Sequence, residues 1–191
     1  VYASYGHSFN PPPLSQVYRY SDIVKANPNL NPERSDSFEI GLKKEWNTKT
    51  TLNVSGFYVK TKDKVKYLTY YDNSGNVDYK MYNNVDEESR RGVELEVRHQ
   101  LSSKWSVFGN YTWQTGRIKH KELPNTNASE YAEVNYDIPK HTFHAGVEYT
   151  SGKWNALWDA QYVSRRQSVD DVTGQYGSED SYFISNVAVN Y

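Results

Sequence analysis

Asn27–Lys43 reads NPNLNPERSDSFEIGLK, and the stretch changes character halfway along. Pro28 and Pro32 each remove a backbone donor and push the residue before them toward extended geometry, so no helix is expected before Ser35. From there Phe38, Ile40 and Leu42 alternate with Glu39, Gly41 and Lys43. That is the period of a strand with one apolar and one polar face. What lies against each face decides the fold.

Repetition of this pattern along the chain defines about eight segments, at roughly 1–9, 35–46, 50–68, 88–99, 104–116, 140–150, 153–165 and 182–191. Pro124 and Pro139 interrupt the one region where a helix is conceivable. Connections are of two kinds. Asn47-Thr48-Lys49, Leu101-Ser102-Ser103 and Ser151-Gly152-Lys153 are tight, hairpin-like turns. Polar links at 10–34, 69–87, 117–139 and 166–181 are long, and loops of that length usually carry function. If neighbouring strands run antiparallel, every short turn falls at one end and every long loop at the other.

Aromatic placement separates a membrane barrel from a soluble β-sandwich. The chain is 15 % aromatic, with 18 Tyr and 5 Trp, and on four segments an aromatic recurs at the same parity eight positions later. These pairs are Phe38 and Trp46, Trp105 and Trp113, Trp154 and Tyr162, and Phe183 and Tyr191. Eight residues cover roughly 26 Å along a strand, or about 20 Å vertically after a tilt near 40°. This approaches the height of a barrel's apolar band between its two aromatic girdles. Between these aromatics only Lys44 is charged, beside Trp46, where its stem can snorkel to the interface. The opposite parity is polar, with Glu39, Glu45, Glu94, Glu96, Arg98, Glu148 and Asp159. A lumen wide enough to hydrate such charges suits a large barrel.

Composition narrows the function classes. A net charge of −1 offers no bulk field for nucleic acid. The absence of Cys removes disulfides and thiolate chemistry. Mean hydropathy is −0.88, and no apolar run is long enough for a membrane helix, a criterion that does not apply to alternating barrel strands. No cofactor or metal site is expected: His141 and His144 are three apart on a strand and face opposite sides. Asp170, Asp171, Glu179 and Asp180 lack EF-hand spacing. No enzyme signal emerges, since Gly6-His7-Ser8-Phe9-Asn10 lacks the second glycine of a nucleophile elbow.

Candidate contacts lie in the long links. Tyr67, Tyr70, Tyr71, Tyr79 and Tyr82 present flat faces with polar tips to an aromatic or chelate ligand, unless they pack against one another. Arg117, Lys119, Arg165 and Arg166 lie near loop bases where an anionic ligand would pass. Lys60, Lys62, Lys64 and Lys66 form a column that points outward above the aromatic belt, toward lipopolysaccharide phosphates, if no bulge intervenes.

The opening stretch closely resembles a signature of TonB-dependent outer-membrane receptors. VYASYGHSFNPPPLSQVY, YNNVDEESRRGVELEV, LSSKWSVFGNYTW, IPKHTFHAGVEY and FISNVAVNY follow in the family's order. One departure is the run Pro11-Pro12-Pro13, where the family usually has a single proline. The resemblance implies an all-β antiparallel transmembrane barrel of about 22 strands, filled by a plug, of which residues 1–191 are a partial barrel of about eight strands. The plug, the early strands and the last two strands are expected to lie outside it. It also implies energised uptake of a siderophore, haem or cobalamin through TonB in a Gram-negative outer membrane. A passive porin or small barrel, or a soluble sandwich, remains the alternative. Whether the eight strands form an open sheet or a small closure is left undecided.

Overall fold

The computed structural model describes residues 1–120, 123–126, 138–169 and 176–191. Eight long strands form one antiparallel sheet: β1 (Tyr2–Asn10), β2 (Glu33–Trp46), β3 (Thr50–Tyr71), β4 (Val77–Gln100), β5 (Trp105–His120), β6 (His141–Ser151), β7 (Trp154–Val163) and β10 (Tyr182–Asn190). They lie in the order β1-β2-β3-β4-β5-β6-β7-β10. A hairpin of β8 (Arg166–Val169) and β9 (Tyr176–Glu179) sits apart, and a single helical turn, α1 (Leu14–Val17), interrupts the first long loop. The sheet is open, with β1 and β10 as its edges.

Among the described residues no second sheet packs on the first, which removes the sandwich alternative. Among the described residues the buried apolar set is only Val24, Leu68, Val85, Ala160 and Val163, whereas Ile40, Phe183 and Val187 are 62 %, 65 % and 73 % exposed. Water would not tolerate so continuous an apolar face. A single sheet with one exposed apolar face has the pattern of a barrel wall.

Pairing register sharpens this. Residues directly opposite across antiparallel strands share a face, so each rung of the sheet can be followed from strand to strand. The upper aromatics begin on the rung of Tyr5, Phe38 and Tyr58. They drop one outward rung to Trp113, level with Gly56 and Val93, and another to Phe143, Tyr162 and Phe183. Below them Trp46 is level with Thr50, His99 and Val107. Trp105 and Tyr149 lie one rung lower, and Trp154 one lower again beside Tyr191. The two girdles therefore descend together, four outward rungs apart on β2, β5, β7 and β10 and three on β6. Two rungs are roughly 13 Å over a sheet width of about 29 Å, the diagonal that tilted barrel strands require if the girdles are to stay level with a membrane.

The short turns gather beneath the lower girdle. Asn47 and Thr48 adopt φ of 50° and 54°, and Gly152 takes φ 60° in the β6–β7 turn. At the other end β3 and β4 outrun their neighbours. Residues 69–87, expected as a loop, are mostly strand, and the true turn is Asp72–Asn76. Asp72 Oδ1 accepts the backbone N–H groups of Ser74 and Asn76, both at 2.8 Å. These bonds, that from Asn76 foremost, hold its carboxyl below the usual carboxylate range. The expectation missed this because Tyr, Lys and Asn alternate there without an apolar face.

Two register shifts separate the membrane part of the β3–β4 pair from the projecting part, one between Thr61 and Lys64 and one between Lys64 and Val65. Asp63 has φ 58° there. This corrects the lysine column. Lys60 and Lys62 keep the outward face, but the bulge turns Lys64 onto the polar face, where it pairs with Glu88, and Lys66 approaches Asp86 at 3.8 Å.

Candidate functional site

The projecting hairpin is held on both edges by other loops. Lys80 donates its N–H to the Ile23 carbonyl (2.7 Å) and accepts from the Lys25 N–H (2.9 Å), so the first loop adds a short parallel bridge to β4. On the opposite edge the Tyr71 N–H bonds the Asn125 carbonyl at 2.8 Å. Edge groups left bare by β2 and β5 are thus satisfied.

Asparagines from the opening stretch lock the return limb in place. Asn27 Nδ2 donates to the Tyr82 carbonyl and to Asn83 Oδ1, both at 2.9 Å. The Asn31 N–H donates to Asn84 Oδ1 at 2.8 Å, and Asn84 Nδ2 returns a bond to the Asn31 carbonyl at 2.9 Å and another to the Asp63 carbonyl at 2.6 Å. Glu33 accepts the Val65 N–H at 2.9 Å. Prolines deny the limb its own regular pairing, and Asn supplies both donor and acceptor where the backbone cannot. The N-P-N-L-N-P spacing was visible in the sequence; its partners were not.

The tyrosines pack in two groups. Tyr70 stacks on Tyr79 with centroids 4.5 Å apart, and Lys25 Nζ lies 3.5 Å over the Tyr79 ring. Asn83 donates to the Tyr70 hydroxyl, and partial burial raises that phenol above its ordinary pKa. Tyr67 and Tyr82 meet at 4.7 Å, with the Arg19 guanidinium 5.7 Å from Tyr67. Three positions separate the groups along each strand, so they occupy opposite faces of the hairpin. Tyr71 belongs to neither ring pair. The stacking accounts for the high tyrosine content of this hairpin, and Lys25 and Arg19 are contacts that sequence reasoning missed.

The remaining candidates are placed as follows. Arg165 sits by Ser178 and by Asp180 (3.9 Å), and Arg166 Nε donates to Glu179 at 2.7 Å, so both arginines brace the β8–β9 hairpin. Glu179 and Asp180 are thereby engaged; Asp170 and Asp171 lie outside the described residues. Arg117 is corrected: it shares the outward face of Trp113, above the upper girdle, away from the lumen.

All seven expected lumen residues lie on the polar face. Glu39 accepts from the Tyr2 hydroxyl at 2.7 Å. Glu148 meets Arg98 at 3.9 Å and Asn155 at 3.3 Å. Asp159 takes His144 and Asn186, both at 3.1 Å. Glu45, Glu94 and Glu96 are exposed on this face. His141 bonds the Tyr111 hydroxyl at 2.8 Å on the other face, as the strand parity requires. Among the described residues no cluster of His, Cys, Asp and Glu could hold a metal.

Comparison with known proteins fits this geometry. The chain is 27 % identical over 189 residues to a probable TonB-dependent siderophore receptor, PiuA, of Acinetobacter baumannii, covering 85 % of this chain and 24 % of that protein. It is 28 % identical over 143 residues to the ferrioxamine receptor of Yersinia enterocolitica, covering 65 % and 18 %. The chain thus spans at most about a quarter of these relatives. Its fold matches the FrpB iron transporter of Neisseria meningitidis with a TM-score of 0.72 at 16 % identity, over 99 % of this chain and 29 % of that one. The model of the TonB dependent receptor-like β-barrel family matches residues 1–191 throughout, and the chain belongs to that family.

Proposed function

We propose that residues 1–191 form wall, lumen surface and outer loops of an importer in the outer membrane of a Gram-negative bacterium. The cargo is a large, scarce iron chelate of the siderophore type; haem and cobalamin are the other members of the cargo class. The observation that carries this reading is the pair of parallel girdles with a charged face behind them. It describes a hydrated lumen too polar to be a packed core, and the named relatives include siderophore receptors. The plug, the earlier strands and the last two strands would come from sequence outside these residues, consistent with the share of each relative that is covered.

In this scheme the polar face lies against the plug, with Glu39, Glu45, Glu94, Glu96, Arg98, Glu148 and Asp159 as contact candidates. Arg98, 3.9 Å from Glu148 and 5.7 Å from the Phe108 ring, is the cation best placed to bridge wall and plug. TonB would supply force from the inner membrane through the plug and make no contact with this segment. At the mouth, Tyr71, which belongs to neither ring pair, is the first ring to offer a ligand, because Tyr70 and Tyr79 are occupied by each other and by Lys25, and Tyr67 and Tyr82 by each other and by Arg19. The outward wall meets outer-membrane lipid and lipopolysaccharide.

Growth of a deletion strain on single iron or cobalamin sources tests the proposal. One source should fail to support growth until the full-length gene is restored. Undiminished uptake of every siderophore, haem and cobalamin would refute it.

A further inference from the structure

The three short turns end alike. Asn47-Thr48-Lys49, Leu101-Ser102-Ser103-Lys104 and Ser151-Gly152-Lys153 each place a lysine directly before the next strand begins, at Thr50, Trp105 and Trp154. Residues 46–50, 100–105 and 150–154 contain no Asp or Glu. Lys49, Lys104 and Lys153 are exposed and make no ion pair with any described residue. Lys153 Nζ lies 5.7 Å from the Tyr191 ring, which leaves its charge unmatched. On the polar face above the row, Glu148 is engaged by Arg98 at 3.9 Å.

Register sets the three lysines in a line. The Lys49 carbonyl accepts the Gln100 N–H and the Lys104 carbonyl the Thr150 N–H, both at 2.8 Å, so each continues the ladder beneath its strand. Gln100 opposes Ser106 and Thr150 opposes Asn155. Lys104 therefore lies one rung below Lys49, and Lys153 one rung below Lys104, all at the parity of the polar face. Successive lysines are two strands across and one rung down, roughly 12 Å apart. This is the step by which Trp46, Trp105 and Trp154 descend, so the row runs level with the lower girdle and beneath it. Lys44 belongs elsewhere, on the outward face with its Nζ 4.7 Å from the Trp46 ring. Evenly spaced cations below the membrane, at the parity that faces away from lipid, complement a linear polyanion better than a headgroup.

We propose that this rim docks on the peptidoglycan layer, its lysines pairing with carboxylates that the peptide arms of a glycan strand present at regular intervals. Each exposed ion pair is weak and screened by salt. A polymer that engages several of them together gains through effective concentration what no single pair supplies. The proposal rests on the barrel orientation given above, which places the short turns in the periplasm, and it needs neither the cargo nor TonB.

The test is co-sedimentation of the detergent-purified full-length protein with purified peptidoglycan sacculi at low salt. Lys49→Gln, Lys104→Gln and Lys153→Gln together should weaken binding about tenfold, and each alone about twofold. The same three positions changed to Arg should keep it. Lys62→Gln with Lys119→Gln removes charge at the opposite end of the barrel and should change nothing. Amidation of the sacculus carboxylates should abolish binding, as should about 1 M salt. Heat-modifiability on gels reports folding of each variant. Sedimentation unchanged in the glutamine triple overturns the proposal, and so does equal binding to amidated sacculi. A loss matched by the Lys62 and Lys119 pair reduces the effect to net charge and also overturns it. Phosphatidylglycerol vesicles are run in parallel; if the triple loses these while keeping the sacculi, the row is a lipid contact and the proposal falls. Iron uptake is scored separately, so a failed cargo assignment leaves the sedimentation readable, and failed sedimentation leaves the cargo assignment standing.

Discussion

Replacing Gly92 by Ala tests the sheet geometry more sharply than any change at an aromatic residue. A Cβ at this position would lie 2.5 Å from the Trp113 carbonyl oxygen and 2.6 Å from Phe57 Cζ. Ordinary contact begins near 3.4 Å, so the overlap is close to an ångström. The Phe57 ring can swing away, but the Trp113 carbonyl belongs to the β4–β5 ladder and cannot move without opening it. Overpacking of this kind costs about 1–3 kcal/mol, against a gain of roughly 0.5–1 kcal/mol from removing a strand glycine. The net should be a loss of about 1–2 kcal/mol. Gly56→Ala, with its nearest neighbour at 3.8 Å, should instead keep the gain. Phe57→Leu combined with Gly92→Ala should recover only part of the loss, because the carbonyl remains. The assay is urea unfolding of the full-length barrel in lipid vesicles, read by midpoint at unchanged slope. If Gly92→Ala is as stable as Gly56→Ala, the register between β4 and β5 is wrong and the girdle argument falls with it.

Three further outcomes are expected. Asn84→Ala removes two bonds that hold the first loop to the hairpin, both to Asn31, and a third to the Asp63 carbonyl at the bulge, each worth about 0.5–1.5 kcal/mol at most in so exposed a place; protease cleavage within 10–32 should accelerate while the barrel's unfolding midpoint stays put. Asp72 has a depressed carboxyl pKa, so its contribution to the turn is complete above its unfolded value of 3.8 and is lost as pH falls through the lower folded value; amide exchange at Ser74 and Asn76 should rise in that window, and Asp72→Asn should abolish the pH dependence. Spin labels at Val107, Ala156 and Lys62 should differ from labels at Asn110, Asp159 and Lys64, the first two meeting lipid oxygen, Lys62 the interface and the last three water; equal access of an aqueous relaxation agent to Val107 and Asn110 would refute the two-faced wall.

How far the fold was legible in the sequence can be argued from particular residues. Parity along a strand is a local property, so the faces of Phe38 and Trp46, or of Glu94 and Leu95, could be read directly. Register between strands is not local. That the girdles descend one rung at Trp113 and another at Phe143 depends on which residue of β5 opposes Val93, and nothing within β5 declares it. Lys64 and Lys66 failed for a related reason. An Asp in the left-handed region at position 63 inverts every side chain after it, and Lys-Asp-Lys carries no glycine to advertise a bulge. The tyrosines were found as a group, but the sequence could not say which would stack with which, because the choice depends on a turn at Asp72 that was read as part of a loose link.

The two bulges at Thr61–Val65 also explain how one pair of strands serves two environments. Below them β3 and β4 sit inside the sheet, with β2 and β5 completing their hydrogen bonds. Above them both neighbours have ended, and a continuous two-stranded ribbon would expose bare edges on each side. An interruption of register at that level increases local twist and frees the ribbon to turn, so that Lys80 meets the first loop and Tyr71 meets Asn125. Each loop thereby fixes the other through the hairpin. Asn84 reaches both the Asp63 carbonyl at the bulge and the Asn31 carbonyl in the loop, and so ties the point of bending to the limb it carries. A displacement of the first loop must then be felt at the bulge, whose side chains include Lys62 on the outward face and Lys64 on the polar face.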